Sequence, residues 1–124
     1  LMQVMPMQWA GTSNYERYGS LIPKIFKLLQ AGEYDEATRL YWQLHPARKA
    51  LQGISVHLQQ TLFIHRMLWK FEGWLNGYNG GPSRNPTMRL NDNQMNALRA
   101  GLTKAGVPIT DEPNSAFFVG RNLD

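Results

Sequence analysis

One segment constrains the whole chain: Trp69-Lys70-Phe71-Glu72-Gly73-Trp74-Leu75-Asn76-Gly77-Tyr78-Asn79-Gly80-Gly81-Pro82-Ser83-Arg84-Asn85-Pro86-Thr87-Met88-Arg89. An aromatic-rich stretch of helical character runs into Gly77, Gly80 and Gly81, which stop a helix because they take positive φ without steric cost. Pro82 and Pro86 then fix φ and withhold two amide donors, so the chain leaves the turn extended. No helix can pass through this break, and the chain divides there.

Upstream of the break the pattern is that of short amphipathic helices. Residues 1–7 are apolar and brief, as in a buried strand, with Pro6 at its end or on a bulge. Residues 8–13 form a loop of polar and small residues that carries Trp9. Leu21, Ile22, Ile25, Phe26, Leu28 and Leu29 recur at helical spacing opposite Lys24 and Lys27, which predicts a helix from about Ser20 to Ala31-Gly32. A second helix is expected with Asp35 as its cap and Ala37, Leu40, Tyr41 and Leu44 on the apolar face. Pro46 should kink or restart it, and Gly53 should close that unit. Residues 57–76 then read as one long helix, with Leu58, Leu62, His65, Leu68, Trp69 and Leu75 as candidate inward positions.

Downstream, Asn91 or Asp92 caps a final helix with Met95, Leu98 and Leu102 inward and Gly106 as its stop. Residues 107–124 contain Pro108 and Pro113 and show no period, so an irregular tail is expected. Its Phe117-Phe118-Val119 cluster is unfavourable in water and needs somewhere to dock.

Composition excludes several classes. The 124 residues are 43% hydrophobic and 18% charged, a globular balance rather than a disordered one. With no cysteine there is neither a disulfide framework nor a thiolate metal site, and a reducing cytoplasm is the expected setting. No apolar run has a membrane-spanning length. The net charge of +4 invites a nucleic-acid reading, but the 13 basic residues are scattered with no run longer than two, so solvated helix faces account for them.

A single strand followed by four helices cannot build a sheet, and a buried lone strand leaves its ladder groups unpaired on both edges. Such a strand wants neighbours upstream, which a (βα)8 barrel supplies when residues 1–7 are its last strand. The chain resembles the C-terminal part of the dihydrodipicolinate synthase and N-acetylneuraminate lyase family, most specifically across residues 66–90 and moderately across 32–49. Within that family it is most similar to the hydratase-aldolases that cleave arylidene-pyruvates. The Trp9 loop and the Phe117-Phe118-Val119-Gly120-Arg121-Asn122 tail favour that branch.

The resemblance implies an α/β family fold, a TIM barrel, of which this mostly α chain is the end. Residues 1–31 would be the last barrel strand, loop and helix, and 32–106 a C-terminal three-helix subdomain followed by the tail at 107–124. It also implies a lyase that forms an imine between pyruvate and a lysine, with an assisting tyrosine, both upstream of this chain. The reaction would cleave an aromatic 2-oxobut-3-enoate to an aryl aldehyde and pyruvate, in a cytoplasmic homotetramer with no metal or organic cofactor. This chain alone is then expected to be inactive.

What such a region can contribute is pocket wall. The loop 7–14 would lie at the C-terminal end of the strand, where Trp9 offers a flat face to an aryl group. His65, on the expected inward face of the long helix, could orient a water for a hydratase step. Asn79, Gly80, Gly81, Pro82, Arg84 and Pro86 read as a structural motif, with Arg84 binding carbonyls or a carboxylate to fix the turn. Lys70 lies on a helix among aromatics and reads as a packed stem with its ammonium in water. No metal site is legible: His45, His57 and His65 stand twelve and eight residues apart, which forms no one-face i, i+4 pair.

A second class remains open. Leu28-Leu29-Gln30-Ala31-Gly32-Glu33-Tyr34-Asp35-Glu36-Ala37-Thr38-Arg39-Leu40-Tyr41 resembles one helical hairpin of a tetratricopeptide repeat, a free-standing protein-interaction module. Repeats of that kind need at least three copies, and no second copy follows.

Overall fold

The fold is given by a computed structural model, which describes residues 18–59, 66–81, 83–84 and 89–121, with the backbone alone for 56–59 and 66. The described residues form six helices: α1 (Leu21–Gln30), α2 (Tyr34–Gln43), α3 (His45–Gln59), α4 (Arg66–Leu75), α5 (Asp92–Lys104) and α6 (Asn114–Val119). The expected strand at 1–7 lies outside the described residues, and so do Trp9 and His65. The helical part of the expected architecture is observed; the barrel is not among what is described.

Helix α1 begins and ends where the apolar period does. The Glu33 N–H closes it onto the Leu28 carbonyl, and the Val107 N–H does the same for α5 on the Leu102 carbonyl. The start of α2 differs from the sequence expectation, and at Pro46 one of the two expected alternatives is observed. Asp35 does not cap α2; Glu33 occupies the cap position without a side-chain bond, and Asp35 is the second helical residue, in the first turn, where its charge still suits the dipole. Pro46 restarts the helix rather than kinking it. The chain turns at Leu44 and α3 starts at His45, so Pro46 falls in a first turn where its missing N–H has no partner to lose.

Gly53 does not close that unit. Helix α3 continues through it to Gln59, because a single interior glycine costs only about 1 kcal/mol against alanine and neighbouring packing outweighs it. Of the expected helix over 57–76, the described parts are the end of α3 and the whole of α4; residues 60–65 lie outside the described residues. At α5 the sequence signal and the structure agree. The Asn91 side chain accepts from the Gln94 N–H while the Gln94 side chain accepts from the Asn91 N–H, a reciprocal cap at both groups.

The core lies where α3 and α5 cross and where α4 and the tail close over them. Leu40, Leu44, Ala47, Met67, Leu68, Phe71, Trp74, Leu75, Met95, Leu98, Leu102 and Phe117 are all buried. Gly101 allows α5 to approach α3 closely: a Cβ there would stand 2.6 Å from the Ala50 Cβ and 3.0 Å from the Pro46 carbonyl oxygen. Helix α1 is covered less completely. Ile25 is buried, but Leu21, Ile22, Phe26, Leu28 and Leu29 are only half-buried.

Candidate functional site: the corner after α4

Helix α4 directs Met67, Leu68, Phe71, Glu72, Trp74 and Leu75 inward, all fully buried. Leu68 and Leu75 are inward as expected, Trp69 is only half-buried, and Phe71 and Trp74, absent from the expected inward set, are fully buried. The i, i+4, i+7 spacing of Met67, Phe71 and Trp74 is the signal that sequence offers. Phe71 and Trp74 stack at 5.7 Å, and Phe117 meets both edge-on, at 5.1 and 5.8 Å. Offset and edge-to-face pairs of this kind add to area burial.

The described part of the tail is thus irregular except at one stretch. Residues 114–119 form α6, a short helix without a side-chain cap, and its Phe117 is the docking point that the apolar cluster required. Periodicity could not reveal it, since six residues make fewer than two turns.

Helix α4 ends at Gly77, at φ 101°, with the Tyr78 N–H returning to the Gly73 carbonyl. The chain then lies against the tail. The Gly81 N–H donates to the Phe117 carbonyl at 2.7 Å, and the Arg121 N–H donates to the Asn79 carbonyl at 2.6 Å. Gly80, at φ 74°, passes directly over the indole of Trp74: a Cβ would sit 3.0 Å from Cγ, 3.2 Å from Nε1 and closer still to Cδ1. Asn79, Gly80 and Gly81 are therefore brought together as a structural unit. Pro82 and Pro86 lie outside the described residues.

Two arginines of the C-terminal half lock the corner. Arg121 Nη1 donates to the carbonyls of Trp74 at 2.9 Å and Tyr78 at 2.5 Å, satisfying C-terminal acceptors of α4. Its Nε and Nη2 hold the Glu112 carboxylate, which also accepts from the Thr110 hydroxyl at 2.8 Å. Arg99 reaches from α5 to the Asn114 side chain and to the carbonyls of Thr110 and Glu112. Both guanidinium groups lie against Trp74, at 4.9 Å for Arg121 and 5.6 Å for Arg99. Arg84, expected to bind the turn carbonyls, is exposed and bonds to no described residue; Arg121 takes that role. Local sequence favoured Arg84, whereas Arg121 reaches the turn only because Phe117 docks.

The Arg121 guanidinium, and after it the Thr110 hydroxyl, holds the Glu112 carboxyl below its ordinary value of 4.5. A carboxylate depressed on folding contributes stability that is complete above that ordinary value and is lost as pH falls through the lower folded one. Thermal unfolding midpoints should therefore drop in the acid range for the native protein, and Glu112→Gln should flatten part of that limb while lowering the midpoint at neutral pH. Identical acid limbs would remove Glu112 from the lock.

Lys70, Gly73, Tyr78, Asn79 and Gly80 line an open cleft of about 440 Å³ beside this corner. Lys70 is half-buried at its rim, on a helix. Among the described residues no cluster of three or more His, Asp or Glu could hold a metal ion, and no helix is long and apolar enough to cross a membrane. The site as described can position a chain turn and wall a cleft; it assembles no acid–base or nucleophilic pair. Compared with known proteins, the chain matches no family model, no curated protein and no solved structure.

Proposed function

We propose that this chain is the C-terminal portion of a class I, Schiff-base, pyruvate-dependent aldolase of the dihydrodipicolinate synthase type, in the hydratase-aldolase branch. On this reading α1 is the last barrel helix, the helical subdomain is α2 to α5 (four described helices where three were expected), and the imine-forming lysine and its tyrosine are upstream. The substrate is an aromatic 2-oxobut-3-enoate, cleaved to an aryl aldehyde and pyruvate by a cytoplasmic homotetramer. Trp9 and His65 line the pocket in this proposal.

The observation that carries it is the corner. The Gly80-Gly81 turn, in the stretch where the family resemblance is most specific, and the Phe-Phe-Val-Gly-Arg tail, which with the Trp9 loop favours this branch, are docked on one another through Phe117 and Arg121. The half-buried apolar side chains of α1 agree with a helix meant to pack on a second layer. A free-standing helical interaction module is the second reading, favoured by the exposed Tyr41 and Trp42 on the outer side of the α1–α2 hairpin.

Borohydride reduction of the native-source protein in pyruvate discriminates them. The aldolase reading expects a stable pyruvyl adduct on a lysine upstream of this chain, and no adduct on Lys24, Lys27, Lys49, Lys70 or Lys104. A native protein of about 14 kDa that traps no pyruvate belongs to the interaction module, and an adduct on Lys70 overturns the placement of the catalytic lysine.

A further inference from the structure

The corner contains two Asn-Gly pairs, Asn76-Gly77 and Asn79-Gly80, three residues apart. In such a pair the glycine amide nitrogen can attack the asparagine side-chain carbonyl carbon, because glycine presents no Cβ to block the approach. The two pairs stand in different surroundings. Asn76 is half-buried, and its Nδ2 donates to the Glu72 carbonyl at 2.9 Å, which draws the amide back along α4. The Gly77 N–H is itself engaged, donating to the Trp74 carbonyl at 3.0 Å. Nucleophile and electrophile are both held apart.

Asn79 is exposed, and neither its side chain nor the Gly80 N–H bonds to any described residue. The peptide joining them is also polarised. The Arg121 N–H donates at 2.6 Å to the carbonyl oxygen of Asn79, the oxygen of the same peptide unit whose nitrogen must become the nucleophile. A donor at that oxygen stabilises the amidate formed when the Gly80 nitrogen loses its proton.

We propose that Asn79 is a fold-selected deamidation site and that Asn76 is protected. The Gly80 nitrogen, having given up its proton to solvent base, forms a bond to Cγ of Asn79. The Cγ–Nδ2 bond breaks, the nitrogen takes a proton and leaves as ammonia, and a succinimide ring remains. Water then opens the ring at one of two carbonyl carbons. Opening at Cγ restores the ordinary backbone with an aspartate at position 79; opening at the backbone carbon yields an isoaspartate whose chain runs through the side chain. Either product adds a negative charge beside the cleft. The isoaspartate also lengthens the backbone between Tyr78 and Gly80, which displaces the carbonyl that Arg121 holds. The modification therefore acts as a slow release of the lock between the turn and the tail, and it is independent of the aldolase reading.

The test is incubation of the native-source protein in mildly alkaline buffer, followed by peptide mapping and by isoaspartate-specific enzymatic methylation. Two hydrogen bonds must open at Asn76 and none at Asn79, so the folded protein should react at Asn79 roughly tenfold faster or more. In concentrated urea that preference should disappear. Asn79→Gln, which needs a larger and slower-forming ring, should abolish the folded-state product, while Asn76→Gln should leave it unchanged. Faster reaction at Asn76 in the folded protein overturns the proposal, and so does a folded protein that stays unmodified while the urea-treated one reacts at both sites.

Discussion

Phe117→Ala should lower the unfolding free energy by about 3–5 kcal/mol, the range for deleting a buried phenyl ring. The ring is fully buried and is the common neighbour of Phe71, Trp74 and Phe118. Its loss leaves a void between α4 and α6, and the surrounding side chains sit on separate helices that cannot easily collapse into it. The effect should spread further than packing. The Gly81 N–H donates to the Phe117 carbonyl, and Arg121 reaches Trp74 and Tyr78 only while the tail is seated. Chemical denaturation should therefore show a large loss of stability, with proteolytic cleavage after residue 107 appearing under native conditions. A loss below about 1 kcal/mol would mean that the tail is an accessory rather than part of the core.

Gly80→Ala should be nearly as damaging, for two separable reasons. At φ 74° an alanine is in the left-handed region, which costs about 1–2 kcal/mol by itself. Its Cβ would also collide with the Trp74 indole, within 3.0 Å of Cγ. That ring is pinned by Phe71, Phe117 and two guanidinium groups and has no room to move aside. Together these put the loss at about 2–4 kcal/mol. Gly81→Ala is the control: its φ is similar, at 79°, but nothing lies within 4 Å of its Cβ position. Denaturation midpoints should fall for both variants and clearly further at position 80. Equal losses would leave the backbone strain as the whole effect and remove the steric argument.

Much of the helical layout was legible because the local signals were redundant. The reciprocal cap at Asn91 and Gln94, the apolar period of Met95, Leu98 and Leu102, and the stop at Gly106 all bear on one short stretch. Where a single residue carried the inference, it failed. Gly53 looked like a terminus but sits inside α3, because a helix tolerates one glycine when its neighbours are packed. Asp35 looked like a cap but is the second residue of α2, since capping and first-turn positions favour the same acidic residue.

The candidate site was half legible. Asn79, Gly80 and Gly81 were recognisable as a turn that only glycine-rich backbone can make. What holds the turn was not, because its partners Phe117 and Arg121 lie some forty residues away in sequence and belong to a segment without any period.

The sequence by itself determined where helices begin and end at strong caps, that the chain breaks after residue 76, and that the Phe117-Phe118-Val119 cluster needs a docking point, which Phe117 alone fills completely while Val119 stays exposed. Those are local properties, set by φ preference, amide availability and side-chain spacing along a few residues. Only the tertiary structure decided that Phe117 docks against Phe71 and Trp74 and that Arg121 rather than Arg84 satisfies the carbonyls of Trp74 and Tyr78. It also decided that the carbonyl joining Asn79 to Gly80 accepts from the Arg121 N–H. These outcomes depend on which groups meet across the fold, and an unpaired acceptor at a helix end records the need for a donor without naming which one will arrive.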